Sequence, residues 1–186
     1  MQVTKTPLKD LLILQPKRHG DARGWFCEVY SQPALAAVGI DLNFVQDNHS
    51  MSGPIGTLRG LHYQTPPMAQ AKLVRCTHGV IFDVAVDVRR GSPTYGQWYG
   101  LELSADNAAQ LLVPVGFLHG FVTRSEGAEV QYKVTAPYAP ECDGGIAWDD
   151  PDIAIDWGLT SPILSAKDAA AASLAAFKSP FAYGAL

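Results

Sequence analysis

Val80-Ile81-Phe82-Asp83-Val84-Ala85-Val86-Asp87-Val88 is the stretch from which the fold is read. Val80, Phe82, Val84, Val86 and Val88 alternate with Ile81, Asp83, Ala85 and Asp87, a period of two that gives a strand one apolar face and one polar face. The turn residues Arg90-Gly91-Ser92-Pro93-Thr94 follow, and a second β-rich run extends from Trp98 to Leu103. Further short runs are Lys72–Cys76, Gln110–Val115, Gly120–Thr123 and Glu129–Thr135, each bounded by Gly, Pro, Asp or Asn. About eight or more such strands at close spacing predict a sandwich or barrel, with a jelly roll the leading arrangement.

Helical signals are few. A short helix is expected around Gln32–Val38. A C-terminal helix is expected where Ser165 is a plausible N-cap, Asp168 falls in the first turn and an Ala-rich stretch runs to Phe177. The expectation is a mainly β chain with short peripheral helices and a C-terminal helix, its 186 residues forming one domain (1–186).

Composition removes several function classes. Hydrophobic residues make up 47% and charged ones 17%, a globular balance. A formal charge of -4 argues against sequence-independent nucleic-acid binding, which needs a broad basic face. An anionic small ligand would need cations gathered locally, and Arg23, Arg59, Lys72 and Arg75 are candidates. Cys27, Cys76 and Cys142 form no C-x-x-C pair and suit reduced thiols. The apolar run Leu11–Leu14 is too short for a signal segment or membrane span, so a cytoplasmic location is expected. No glycine-rich dinucleotide or P-loop fingerprint stands between a strand and a helix.

The densest polar region is Asn48-His49-Ser50 followed by Gly56-Thr57-Leu58-Arg59-Gly60-Leu61-His62-Tyr63-Gln64. Arg59 and His62, with glycines between and before them, make a candidate anion and proton-transfer site, although spacing alone favours an ordinary turn. Gln64 stands where an H-x-H metal pair would place its second histidine, and no metal is expected. Lys72 shares a strand face with Val74 and Cys76, so it is either a snorkelling edge residue or a buried cation aimed at a negative group. Tyr132 lies on an apolar face, where its hydroxyl needs a partner that a substrate could supply. His119, between Leu118 and Gly120, reads equally as a core histidine or a ligand contact near a turn. Asp83 and Asp87 read as structural, bonding turns or Arg89. Trp148-Asp149-Asp150-Pro151 reads as a turn with an aromatic anchor.

With these residues laid out, the chain resembles the dTDP-4-dehydrorhamnose 3,5-epimerase family from roughly Leu14 to Asp168. The markers are Asp21-x-Arg23-Gly24-x-Phe26, Gln46-Asp47-Asn48-His49-Ser50, Leu58–Gln64, Lys72-Leu73-Val74-Arg75 and Asp83–Asp87. They continue through Ser92–Gly96, Gly116–Phe121, Tyr132-Lys133 and Trp148–Pro151. Each alone is weak, but together and in order they are specific. The resemblance implies a cupin-type jelly-roll barrel and a homodimer with exchanged N-terminal strands. It implies a dTDP-4-keto-6-deoxy sugar as substrate and no cofactor.

On that resemblance His62 stands at the position of the general base, Asp168 at its carboxylate partner, Tyr132 at the acid and Lys72 beside the sugar ketone. Arg23, Glu28, Gln46, Asp47, Asn48, Arg59 and His119 match nucleotide or diphosphate contacts, and Asp143 and Lys167 fall near further substrate contacts. Three rivals stand beside the 3,5-epimerase reading. They are an epimerase acting on one carbon, a metal-dependent cupin enzyme and a non-catalytic sugar-nucleotide-binding barrel.

Overall fold

In the computed structural model, residues 1–184 are described. Six strands form one antiparallel sheet: β1 (Gln2–Lys5), β2 (Leu12–Gln15), β10 (Gln110–Val113), β7 (Lys72–His78), β12 (Ala128–Val134) and β5 (Gln46–Ser52), in that spatial order. A second antiparallel sheet runs β13 (Asp143–Gly145), β6 (Leu58–Gln64), β11 (Phe117–Thr123), β8 (Val80–Asp87) and β9 (Trp98–Ser104). Among the described residues the strands β3 (Arg18–Asp21) and β4 (Gly24–Cys27) pair only with each other, as a hairpin outside both sheets. No helix among the described residues is long and apolar enough to cross a membrane.

The two sheets face each other over a shared core. Val74 and Cys76 of β7 and Val130 of β12 meet Ile81 and Ala85 of β8 and Phe117 and Phe121 of β11. The outer face of the second sheet is also covered, since Leu58, Val84, Val86, Val88, Leu118 and Val122 pack under Ile146, Ile153, Trp157, Leu174 and Phe181. Both faces of β8 are therefore buried, which corrects the one-faced reading of Val80–Val88. The face carrying Ile81, Asp83, Ala85 and Asp87 is the interior of the barrel, and all four residues are fully buried. Asp87 behaves as expected for a turn anchor, accepting bonds from Arg89, Ser92 and Thr94. Asp83 does not reach Arg89; its carboxylate turns inward.

The short helix is α1 (Gln32–Ala36), capped by Ser31 and buried through Leu35. The expected C-terminal helix is cut to one turn, α2 (Ala166–Ala169), with a separate 3-10 turn at Leu174–Ala176. Ser165 is the N-cap, accepting from the Asp168 N–H at 3.1 Å. A longer helix would bury little, because the residues following Asp168 are mostly alanines. The chain instead bridges Ala172 to Ile146 and seats Leu174 on the core, its N–H donated to Asp150 at 2.8 Å. Tertiary packing overrides local propensity here. Asp150 also accepts from the N–H groups of Asp152 and Ile153, so the Trp148–Pro151 turn is structural.

Candidate active site

Arg59 and His62 are three residues apart and would project to opposite faces of a regular strand. β6 and β11 avoid this with a bulge: His62 opposes His119 and Arg59 opposes Phe121, so three steps on β6 span two on β11. Gly60, at φ +131°, sits within the bulge, and a Cβ there would stand 2.5 Å from the Gly120 Cα. The extra residue lets both side chains line one cavity of about 370 Å³. The local reading of Gly56–Gln64 as a turn is thus wrong. The segment lies mainly in a strand, and its glycine serves close strand approach.

His62, Lys72, Tyr132 and Asp168 all line this cavity, together with Arg59, His119 and Lys167. His62 and His119 come from the five-stranded sheet, and Lys72 and Tyr132 from the six-stranded one, so the groups approach from opposite walls. His119 lies in the middle of β11, not near a turn. Asp168 comes from α2, whose capped turn aims its carboxylate at the His62 ring. The Asp168 Oδ1 to His62 Nε2 distance is 2.5 Å, with side-chain exposures of 4% and 30%. The carboxylate is closed off while the imidazole remains open to the cavity. An ionised carboxylate can only accept, so the bonded nitrogen carries the proton, and in the neutral imidazole Nδ1 is the nitrogen with the lone pair.

Burial works to raise the Asp168 pKa, but bonds from His62, Ser165 and the Gly60 backbone outweigh it and hold the carboxyl below its ordinary value. Burial lowers the Lys72 ammonium to about 8, against attraction from Asp83 and Asp143. Burial raises the Tyr132 phenol, leaving it a neutral proton donor near pH 7. Burial also lowers the His119 imidazole, although Asp83 accepts from its Nε2 at 2.9 Å.

The remaining site candidates divide. Arg59 donates to Ser52 Oγ at 3.1 Å and to the Met51 carbonyl at 3.3 Å, which steadies its guanidinium at the cavity rim. Lys167 donates to Asp143, which also accepts from Tyr138 at 3.1 Å. Asp47 and Asn48 line a neighbouring cavity of about 290 Å³ that shares Tyr132. Asp47 pairs with Lys133 at 2.5 Å, and Gln46 donates to Asn48 at 2.8 Å. Arg23 and Glu28 are not brought to the His62 cavity within this chain. Both are exposed, and among the described residues Arg23 pairs only with Asp21 on its own hairpin. Sequence reasoning missed Asp83, which it placed on a polar strand face and which accepts from His119, and Ser50, Phe121 and Ser165, which also line the cavity. Among the described residues no group of three His, Cys, Asp or Glu side chains is gathered as a metal centre.

The family model for dTDP-4-dehydrorhamnose 3,5-epimerase matches residues 5–176. The chain belongs to this family. The dTDP-4-dehydrorhamnose 3,5-epimerase of Sinorhizobium fredii is 50% identical over 177 residues, covering 95% of this chain and 91% of its own. Among solved structures, the dTDP-4-dehydrorhamnose 3,5-epimerase of Bacillus anthracis, with TDP and PPi bound, superposes with a TM-score of 0.91 at 48% identity. That match covers 93% of this chain and 99% of the other. The 3,5-epimerase of Legionella pneumophila in complex with dTDP-4-keto-L-rhamnose gives 0.91 at 46% identity over 95% of this chain and 94% of its own. The fold is the cupin jelly roll of these epimerases, and the protein is an isomerase of dTDP-sugar metabolism.

Proposed function

We propose that this chain epimerises a dTDP-4-keto-6-deoxyhexose at C3 and C5, with His62 as base, Tyr132 as acid, Lys72 at the ketone oxygen and Asp168 behind His62. The observation that carries the assignment is the His62–Asp168 pair, which enters one cavity with Lys72 and Tyr132 on the opposing sheet. A 4-ketone acidifies the hydrogens on C3 and C5, because the carbanion left by deprotonation delocalises onto the carbonyl oxygen. His62 Nδ1 takes the proton, and the positive imidazolium is offset by Asp168. The enolate oxygen gathers negative charge beside the Lys72 ammonium. Tyr132 then delivers a proton from the other face, inverting the carbon, and the two groups return to their starting states by exchange with solvent.

Arg59 and Lys167 supply positive charge for the diphosphate, which is how a chain of net charge -4 takes an anion. Asp47 and Asn48, in the adjoining cavity, are assigned to the nucleotide end, with Gln46 supporting Asn48. His119 adds to the polar lining, and Asp143 accepts from Lys167 at the edge of the cavity. The whole chain is read as one domain working in the cytoplasm as a homodimer. Within the chain β1 and β2 already complete the six-stranded sheet, so the segment proposed for exchange is the β3–β4 hairpin. It exposes Trp25 and Phe26 at 62% and 71%, and in the dimer it would deliver Arg23 and Glu28 to the partner subunit.

The test is substitution with separate readouts of binding and turnover. His62→Ala and Tyr132→Phe are expected to keep dTDP affinity while epimerisation falls by ~10²–10⁴. Undiminished turnover in His62→Ala would overturn the assignment.

A further inference from the structure

Asp83 is fully buried in the barrel floor, on β8 beside β11. One carboxylate oxygen accepts from His119 Nε2 at 2.9 Å; the other, equally buried, has no hydrogen-bond partner among the described residues. A buried carboxylate with an idle oxygen is costly to keep and calls for a compensating charge. The cation available is Lys72, which lines the substrate cavity with His119. We propose that Asp83 is a positioning residue for the reaction, holding His119 through one oxygen and, through its negative charge, keeping the Lys72 ammonium protonated and free to face the sugar ketone.

The inference rests on the assignment of Lys72 to the ketone. Its physical logic is that an electrophilic ammonium needs charge but must not be consumed by a contact ion pair. Lys72 forms no salt bridge with Asp83 or with any other described residue, while Asp83 and His119 do pair. The field of Asp83 therefore acts on Lys72 without a contact ion pair. Among the charged groups that act on Lys72, Asp83 exerts the largest attraction and Asp143 the next, with Lys167 opposing. His119 carries the same constraint: with its Nε2–H given to Asp83, it offers the cavity an acceptor nitrogen and stays neutral under burial. It therefore suits a substrate hydroxyl better than a diphosphate.

Asp83→Asn isolates the charge, because the amide oxygen can still accept from His119. The probe is lysine carrying ¹⁵N in the side chain, with the Lys72 ammonium followed by NMR titration and kcat followed over the same pH range. In the unmutated protein the ammonium is expected to titrate near 8. In Asp83→Asn its proton affinity should fall about tenfold, the basic limb of kcat should move down with it, and dTDP affinity should stay unchanged. An unmoved Lys72 midpoint in the folded variant overturns the proposal, as does dTDP affinity falling in step with kcat. Should the variant not fold, ¹³C-carboxyl NMR of aspartates in the unmutated protein decides, since Asp83 found protonated at pH 7 overturns the proposal and Asp83 found ionised supports it. The ammonium titration needs no turnover. An unmoved basic limb with a shifted Lys72 midpoint therefore contradicts the assignment of Lys72 to the ketone and leaves the electrostatic coupling standing.

Discussion

The Lys72 ammonium sits where burial opposes its charge, and that conflict makes it a sensitive reporter of the mechanism. Its folded value of about 8 lies below that of an ordinary lysine, so the ammonium is retained at neutral pH and lost as pH rises through 8. Turnover should therefore fall on the alkaline side with a midpoint near 8, as a pH–rate profile would read. Lys72→Ala should lower kcat by ~10²–10³ at pH 7 and remove that limb. Asp168 works with the opposite sign. Its folded value is depressed below an unfolded value of about 3.9, so the pair contributes stability above that pH and loses it as pH falls through the folded value. Asp168→Asn should accordingly flatten the acid side of the stability profile measured by chemical denaturation. Tyr132 gives the sharpest chemical distinction, because a phenylalanine there cannot return a proton from the second face. Tyr132→Phe should still exchange substrate hydrogens through His62 while forming little inverted product.

At the level of elements, the site depends on an irregularity more than on any regular strand. Gly60 at φ +131°, within 2.5 Å of Gly120 were it given a Cβ, sets the bulge that turns Arg59 and His62 to the same wall. Gly60→Ala combines a left-handed backbone with a steric clash and should cost about 1–3 kcal/mol, visible in thermal unfolding, with a larger proportional loss in kcat. This bulge marks the boundary of what can be read from the sequence. Period-two alternation located β8 and, within a few residues, β7, β9, β10 and β12, because each alternates or is bounded by turn residues. It misjudged β6, whose bulge breaks the alternation, and read the inner face of β8 as polar, because Asp83 and Asp87 stand on it even though both are fully buried. The C-terminal helix was over-extended for a related reason. Its alanines favour helix locally, while the burial of Leu174 is a long-range term. Likewise, the meeting of His62 with Asp168 across 106 positions has no local signature; only the resemblance to a family pointed to it.

Over the whole molecule, two sheets supply opposite walls and the short α2 turn supplies the Asp168 carboxylate. The five-stranded sheet brings His62, Arg59 and His119; the six-stranded sheet brings Lys72 and Tyr132; and the segment crossing the outer face brings Asp168 and Lys167. The β3–β4 hairpin contributes nothing to this cavity in its own chain and leaves Trp25 and Phe26 exposed. Sedimentation should therefore report a dimer. Serine at both aromatic positions should weaken it and lower activity, since Arg23 would no longer reach a neighbouring site. The proposed reaction requires the two walls to act together on the carbons flanking one ketone. The direct measurement is a proton NMR time course of the dTDP-4-keto-6-deoxy sugar in heavy water with the unmodified protein. The predicted result is replacement of both the C3 and C5 hydrogens by deuterium, abolished by His62→Ala. Exchange at only one carbon, or exchange that persists without the His62 imidazole, would contradict it.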